Sequence, residues 1–180
     1  MSFDGINDYI LIPDDFNYTH DGGKTITSKA LTRLTVEAWV KLATADIPQV
    51  IVWDDYGQPG VLFAIVNGRP QFNISTAANP GGISAYGTKL VPGEWHHIAG
   101  VYDGSTVRVF LDGKDNTTGT YLLSGEILDN SERNPTQSPI GIGSDNISHN
   151  ALNFKGLIDE LRIYDASLEP GQLARGFFAK

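Results

Sequence analysis

The stretch Phe154-Lys155-Gly156-Leu157-Ile158-Asp159-Glu160-Leu161-Arg162-Ile163-Tyr164 is dense in branched and aromatic residues and reads as a strand. Side chains alternate faces along a strand, so Leu157, Asp159, Leu161 and Ile163 share one side. That side is otherwise apolar, which makes it the expected core face. An ionised carboxylate there is costly unless it is paired, strongly hydrogen-bonded or bound to a metal. Asp159 therefore needs a partner elsewhere in the chain.

Working outward, short strands separated by turn chemistry run from end to end. Phe3 to Ile12 reads as a first strand with an early bend at Asp4-Gly5, and residues 13–30 read as a loop. Leu34 to Leu42 alternates, with Val36, Ala38, Val40 and Leu42 on one side and Thr35, Glu37, Trp39 and Lys41 on the other. Val50–Trp53 follows. Val61–Val66 and Arg69–Ser75 flank Asn67-Gly68, the dipeptide that a type I′ hairpin turn favours because both positions need positive φ. Asp112-Gly113 after Thr106–Leu111 has the same logic, and upstream Gly93–Gly104 reads as a strand running into another tight turn. Late strands cover about Ile140–Ile142 and Phe154–Tyr164. A short terminal helix over Glu169–Ala174, opened by Ser167 or Pro170, is the only one expected. So many strands with so little helix predict an all-β fold, a two-sheet antiparallel sandwich of jelly-roll type.

The 180 residues fit one domain, and the 20 Gly and 9 Pro suit many turns between short strands. No cysteine is present, so disulfides contribute nothing to stability. A net charge of −8 argues against nucleic acid or anionic membrane as a partner, and it suits calcium, a hard cation that takes oxygen ligands. No segment approaches the ~20 apolar residues of a membrane span. The chain begins almost inside its first strand, so residues 1–180 are expected to form one module of a longer multidomain protein.

Several segments carry a resemblance. Phe3-Asp4-Gly5-Ile6-Asn7-Asp8-Tyr9-Ile10 resembles the opening strand of laminin-G-like domains of the concanavalin A-like lectin/glucanase superfamily. Leu34-Thr35-Val36-Glu37-Ala38-Trp39-Val40 and Gly93-Glu94-Trp95-His96-His97-Ile98-Ala99 with Val109-Phe110-Leu111-Asp112-Gly113 are similar to its next strand and central hairpin. Ile140-Gly141-Ile142-Gly143 and Phe154–Tyr164 look like its last strands. The resemblance implies a concanavalin A-like jelly roll with one concave and one convex sheet. It leaves function open, because the scaffold hosts lectins, adhesin modules, carbohydrate-binding modules and hydrolases.

Two sites follow as expectations. The resemblance brings the first and last strands together, so Asp4 and Asp159 would be neighbouring carboxylates needing a cation between them. Backbone carbonyls around Asp21-Gly22-Gly23 would complete the oxygen shell, giving a structural calcium on Asp4, Asp21, Gly23 and Asp159. The second site lies on rim loops. Sugar recognition needs an aromatic face for ring C–H groups and amides or carboxylates for hydroxyls. Trp53, Asp54, Asp55, Tyr56, Asn79, Tyr86, Asp145 and Asn146 supply those types.

Other motifs are set aside on geometry. His96 and His97 point to opposite faces and cannot chelate one metal, and His97 reads as a hydrogen-bonded core histidine. Glu126 and Asp129 are three positions apart, so a regular strand would turn them to opposite faces, unlike the carboxylate pair of retaining glucanases on this fold. The Glu160-Leu161-Arg162 triplet, compared with alginate lyases of this fold, lacks their second motif. The expected function is a non-catalytic, calcium-associated, glycan-binding module, lectin-like or adhesin, of an extracellular or cell-surface bacterial protein. It would act beside other domains of the same chain, including polysaccharide-degrading ones. A structural or protein-binding module without sugar affinity is the alternative, and a glycoside hydrolase or lyase relative comes after it.

Overall fold

The computed structural model describes residues 1–12, 19–21, 24–26, 31–54, 60–128, 140–145 and 152–178. Fourteen strands run in chain order: β1 (Ser2–Asp4), β2 (Ile10–Ile12), β3 (Thr19–Asp21), β4 (Lys24–Ile26), β5 (Leu34–Leu42), β6 (Gln49–Asp54), β7 (Val61–Val66), β8 (Arg69–Thr76), β9 (Asn79–Tyr86), β10 (Trp95–Tyr102), β11 (Val107–Leu111), β12 (Lys114–Asp115), β13 (Ile140–Ile142) and β14 (Lys155–Tyr164). One helix, α1 (Pro170–Phe178), ends the described chain. Two six-stranded antiparallel sheets form the sandwich: sheet A in the order β1-β14-β5-β10-β11-β12 and sheet B in the order β2-β13-β6-β7-β8-β9. The two-sheet all-β expectation holds. No described helix is long and apolar enough to cross a membrane.

The core lies between the sheets. From sheet A come Val36, Ala38, Val40, Leu42 and Ile98, and from sheet B Phe63, Ile65, Phe72 and Ile74, all at most 1% exposed. Phe63 and Phe72 meet edge to face at 5.5 Å, the arrangement the ring quadrupoles favour. Gly100 of β10 faces Phe72 so closely that a Cβ there would sit 2.2 Å from the ring. Both hairpin turns anticipated from sequence are formed, with positive φ at Asn67, Gly68, Asp112 and Gly113.

Several local expectations change. The opening segment is two strands, because Gly5 at φ +80° turns the chain from sheet A into sheet B. Residues 13–30 contain the β3–β4 hairpin. Strand β9, across Pro80-Gly81-Gly82, has no counterpart in the sequence reading, and α1 runs beyond Ala174.

The most consequential change concerns Asp159. Strand β14 pairs Asp159 with Trp39 and Arg162 with Glu37, so one extra residue is inserted between them. Glu160 sits at φ +52° in this bulge, a conformation that costs a non-glycine residue about 1 kcal/mol or more. Before the bulge the even residue Ile158 faces the core, and after it the odd residues Leu161 and Ile163 do. Asp159 therefore lies on the outward face, half-buried, with its carboxylate accepting from the Glu160 amide at 3.0 Å. The apolar parity that placed a charge in the core was an average over two registers.

Candidate functional site

The outward faces of the two sheets differ in chemistry. On sheet A, α1 packs against β10 and β12, and Leu173 and Leu168 close over Ala99, Val101 and Phe110. Beside this patch Glu37, 3% exposed, accepts from His97 Nε2 at 3.1 Å, Tyr164 Oη at 2.9 Å and Arg162 at 3.4 Å. Burial would push the Glu37 carboxyl up, but these donors and the His97 charge outweigh it and hold it below the usual carboxylate range. The same environment pushes the Tyr164 phenol up, chiefly by burial and then by Glu37. His97 is thus buried and hydrogen-bonded, as expected, but it lies outside the sandwich core. His96 points the other way and bonds Asp112 at 3.1 Å.

Sheet B presents a different row. Antiparallel register sets Leu11 opposite Gly141, Gly141 opposite Trp53, Trp53 opposite Leu62, Leu62 opposite Asn73 and Asn73 opposite Ser84. Because Val52, Phe63, Phe72 and Ile83 face the core, this whole row faces outward. A second outward row joins Val50, Ala64, Gln71 and Tyr86. The bulge at Ile51 keeps Val50 and Trp53 on the same side. Trp53, Leu62, Gln71, Ser84 and Tyr86 are half-buried and Asn73 is 8% exposed.

The polar groups on this face are fixed by one another. Ser84 Oγ accepts from Gln71 Nε2 and from Asn73 Nδ2, each at 2.8 Å. That orients both amides, and among the described residues neither amide carbonyl oxygen accepts a hydrogen bond. Arg69 lies 5.7 Å from the Tyr86 ring centroid and donates to Gly87 O at 2.7 Å and Thr118 Oγ1 at 2.8 Å, so it braces the tyrosine. Gly82, at φ +73°, makes room for this network: a Cβ there would sit 2.3 Å from Asn73 Oδ1 and 2.7 Å from Ser75 Oγ. Trp53 and Tyr86 were expected on rim loops and lie instead within β6 and at the end of β9. Gln71, Asn73 and Ser84 were missed, although the alternation of Arg69, Gln71, Asn73 and Ser75 with Pro70, Phe72 and Ile74 carried the signal.

The remaining anticipated residues scatter. Asp54 pairs with Ile140 and Val61, and at 4% exposed it has core parity, unlike Trp53. Asn79 is exposed at the same end of the sheet, opposite Thr76. Asp145, 8% exposed, lies at the other end, because β13 runs antiparallel to β6 and carries the chain away from Asp54. The single rim expected for Asp54 and Asp145 is therefore two rims. Asp55, Tyr56 and Asn146 lie outside the described residues.

The terminal carboxylate pair is not assembled. Asp4 stands opposite Lys155, and Asp159 is four residues further along β14, roughly 13 Å away at strand spacing. Asp4 Oδ1 accepts from the Ile6 amide at 2.7 Å and so closes the Gly5 turn. Asp21 ends β3, and Gly23 lies outside the described residues. Among the described residues no three or more His, Asp or Glu side chains converge as a metal would require. A polar cleft of about 450 Å³ does open between Asn7, Tyr9, Ser144 and Asn153. Asn153 holds its wall by donating to Ile6 O, and Ser144 Oγ is buried there without a hydrogen-bond partner.

Comparison with known proteins agrees with this architecture. Solved structures that superpose on the chain include a heptameric SAP-like pentraxin from Limulus polyphemus, with TM-score 0.63 and 16% identity, covering 96% of this chain and 78% of that one. A putative carbohydrate binding protein from Bacteroides ovatus gives 0.66 and 13% identity over 97% of this chain and 47% of its own. The CBM40 of a Ruminococcus gnavus IT-sialidase, bound to α2,3 sialyllactose, gives 0.60 and 15% identity over 82% of this chain and 84% of its own. At such identities the likeness shows the fold. A search of curated proteins finds no match. The laminin-G family model described as concanavalin A-like lectin/glucanases superfamily matches residues 4–174. With its two antiparallel sheets and a match over nearly all its length, the chain belongs to the concanavalin A-like lectin/glucanases superfamily.

Proposed function

We propose that this domain is a non-catalytic glycan-binding module whose ligand lies across the outward face of sheet B. The observation that carries the reading is a pair of adjacent outward rows, one holding Trp53 and the other Tyr86, with an oriented Gln71–Ser84–Asn73 network shared between them. An aromatic face accepts the C–H side of a pyranose while fixed amides and a hydroxyl bond its hydroxyls. The CBM40 neighbour bound to α2,3 sialyllactose supports it by analogy of scaffold. Extracellular or cell-surface placement, beside other domains, belongs to the same reading, where single-module affinity is raised by multivalency.

Calcium enters this reading at the cleft beside Asp145, where Ser144 Oγ is a buried oxygen in want of a partner and Asn7 and Asn153 add amide oxygens. Asp4 and Asp159 have no part in it. A glycan array read with calcium and with EDTA, repeated on Trp53→Ala, tests both points. Hits lost in Trp53→Ala support the face, and hits lost in EDTA support the cation. No glycan bound in either condition would favour a structural or protein-binding module, and turnover of any arrayed glycan would overturn the non-catalytic reading.

A further inference from the structure

A second open groove lies on the other sheet, at the end where β1, β14 and β5 meet. It has a volume of about 620 Å³, and Ser2, Asp4, Lys41, Pro92, Lys155 and Leu157 are among its walls. Register explains its make-up. Ser2 stands opposite Leu157, Leu157 opposite Lys41 and Lys41 opposite Trp95, so one outward row crosses four strands of sheet A. Lys155 precedes Leu157 by two residues and shares its parity, which makes it the diagonal neighbour of Lys41, at about 7–8 Å between backbones. Trp95 closes the row with 37% of its surface exposed.

The charges here are uncommitted. Arg108 is paired with Asp103, and Arg162 with Glu37 and Glu160. Among the described residues neither Lys41 nor Lys155 makes an ion pair or a side-chain hydrogen bond, in a chain of net charge −8. The carboxylate directly across from Lys155 is Asp4, and its Oδ1 is turned to the Ile6 and Asn7 amides. Two ammonium groups thus flank an apolar floor with an exposed indole in the same row.

We propose that this groove binds an acidic sugar unit, its carboxylate or sulfate held between Lys41 and Lys155. The C–H face of the ring then lies over Leu157 towards Trp95, and Ser2 supplies a hydroxyl. The indole and the apolar floor favour a pyranose over a bare inorganic anion, and an open groove admits one unit of a longer polymer. The site is on the opposite sheet from Trp53 and does not depend on the proposed sheet B face.

Affinity electrophoresis through gels containing polygalacturonate, dextran sulfate or neutral dextran tests it, at fixed salt. The first two arms separate carboxylate from sulfate as the bound group. Retardation is expected by at least one acidic polymer and not by dextran. The Lys41→Ala/Lys155→Ala double variant is expected to bind at least about tenfold more weakly, a loss in keeping with two charge-assisted contacts. The loss caused by Lys41→Ala/Lys155→Ala should persist when it is measured in a Trp53→Ala background, where the sheet B face is silenced, and this separates the two sites. Lys89→Ala/Lys114→Ala, which removes two exposed lysines elsewhere, should leave acidic-polymer binding unchanged. An equal loss in that control, equal retardation by dextran, or no retardation by either acidic polymer would overturn the proposal.

Discussion

The two sheets begin from the same alternation and turn it to opposite ends. Strand β5 buries both faces: Val36 and Val40 in the sandwich, and Thr35, Glu37 and Trp39 on the other side, at 0%, 3% and 8% exposure. Strand β8 buries Phe72 and Ile74 in the same core but turns Gln71 half-exposed to its outside. The difference, among the described elements, is a helix on one face. Helix α1 closes part of sheet A's back, so the polar groups there must satisfy one another, and Glu37 collects three donors to do so. Sheet B's polar groups bond to one another on one side only and keep acceptors for something else. Within sheet B's outward face Val50, Ala64 and Ser75 are buried all the same, and the half-buried positions are Trp53, Leu62, Gln71, Ser84 and Tyr86.

The largest expected effect breaks the covered side. Glu37→Ala removes the acceptor shared by His97, Tyr164 and Arg162, and leaving buried donors without their charge partner costs about 3 kcal/mol. Urea unfolding should show that loss while glycan affinity, measured on the folded fraction, stays at the parent value. The mirror experiment is Trp53→Ala. It is expected to weaken glycan binding by about 2 kcal/mol, roughly thirtyfold, with a cooperative unfolding transition retained. If Glu37→Ala abolished binding in the folded state, the division of labour between the sheets would be wrong.

Legibility in the sequence follows the same division. Strands whose outward face is polar and inward face apolar, such as β5 and β8, are visible from alternation, and Asn67-Gly68 and Asp112-Gly113 mark their hairpins. What sequence hides is register. The extra residue at Glu160 reverses parity within β14, so Asp159 reads as a core charge when it faces outward. Antiparallel pairing through β13 sends Asp54 and Asp145 to opposite ends of sheet B. Strand β9 is hidden because Pro80-Gly81-Gly82 carries turn composition. Gly82 serves close packing against Asn73, and its neighbours pair with β8 all the same. The chemistry of the sheet B face was half visible for that reason: Trp53 and Tyr86 stand out singly, but Gln71, Asn73 and Ser84 come together only once rows are aligned.

Acid should act through sheet A and its turns. The Asp103 carboxyl is brought down to about 2: burial opposes this, but the Thr106 and Ser105 hydroxyls and amides outweigh it. A carboxyl depressed in the folded state stabilises above its unfolded value of 3.8 and loses that contribution as pH falls through about 2. The shift is worth about 2 kcal/mol, and Glu37, shifted in the same direction, adds to it. Asp103→Asn should therefore lower stability at pH 7 by about 2 kcal/mol and flatten its decline between about pH 4 and pH 2. The Gln71, Asn73 and Ser84 side chains do not titrate, so glycan affinity should hold constant from about pH 7 down to pH 5, a window in which free carboxylates stay ionised. An affinity that tracked the stability curve would mean that binding depends on the sheet A network.

The smallest effect tests the fit on the open face. At Gly82 an added methyl meets the Asn73 amide and Ser75 hydroxyl, which are the ends of side chains, and φ +73° strains any non-glycine residue there. Gly82→Ala should cost about 1 kcal/mol of stability, because β9 is an edge strand of sheet B with nothing stacked beyond it among the described strands. Its informative consequence is on binding. Pushing Asn73 off Ser84 frees an amide that the parent holds in place, so affinity should fall about fivefold, near 1 kcal/mol. Asn73→Ala should bring the same loss, and the double variant little more, since both act on one oriented group. Additive losses would show that Gly82 admits the ligand itself past β9, and the binding face would then extend beyond Ser84 to the sheet edge.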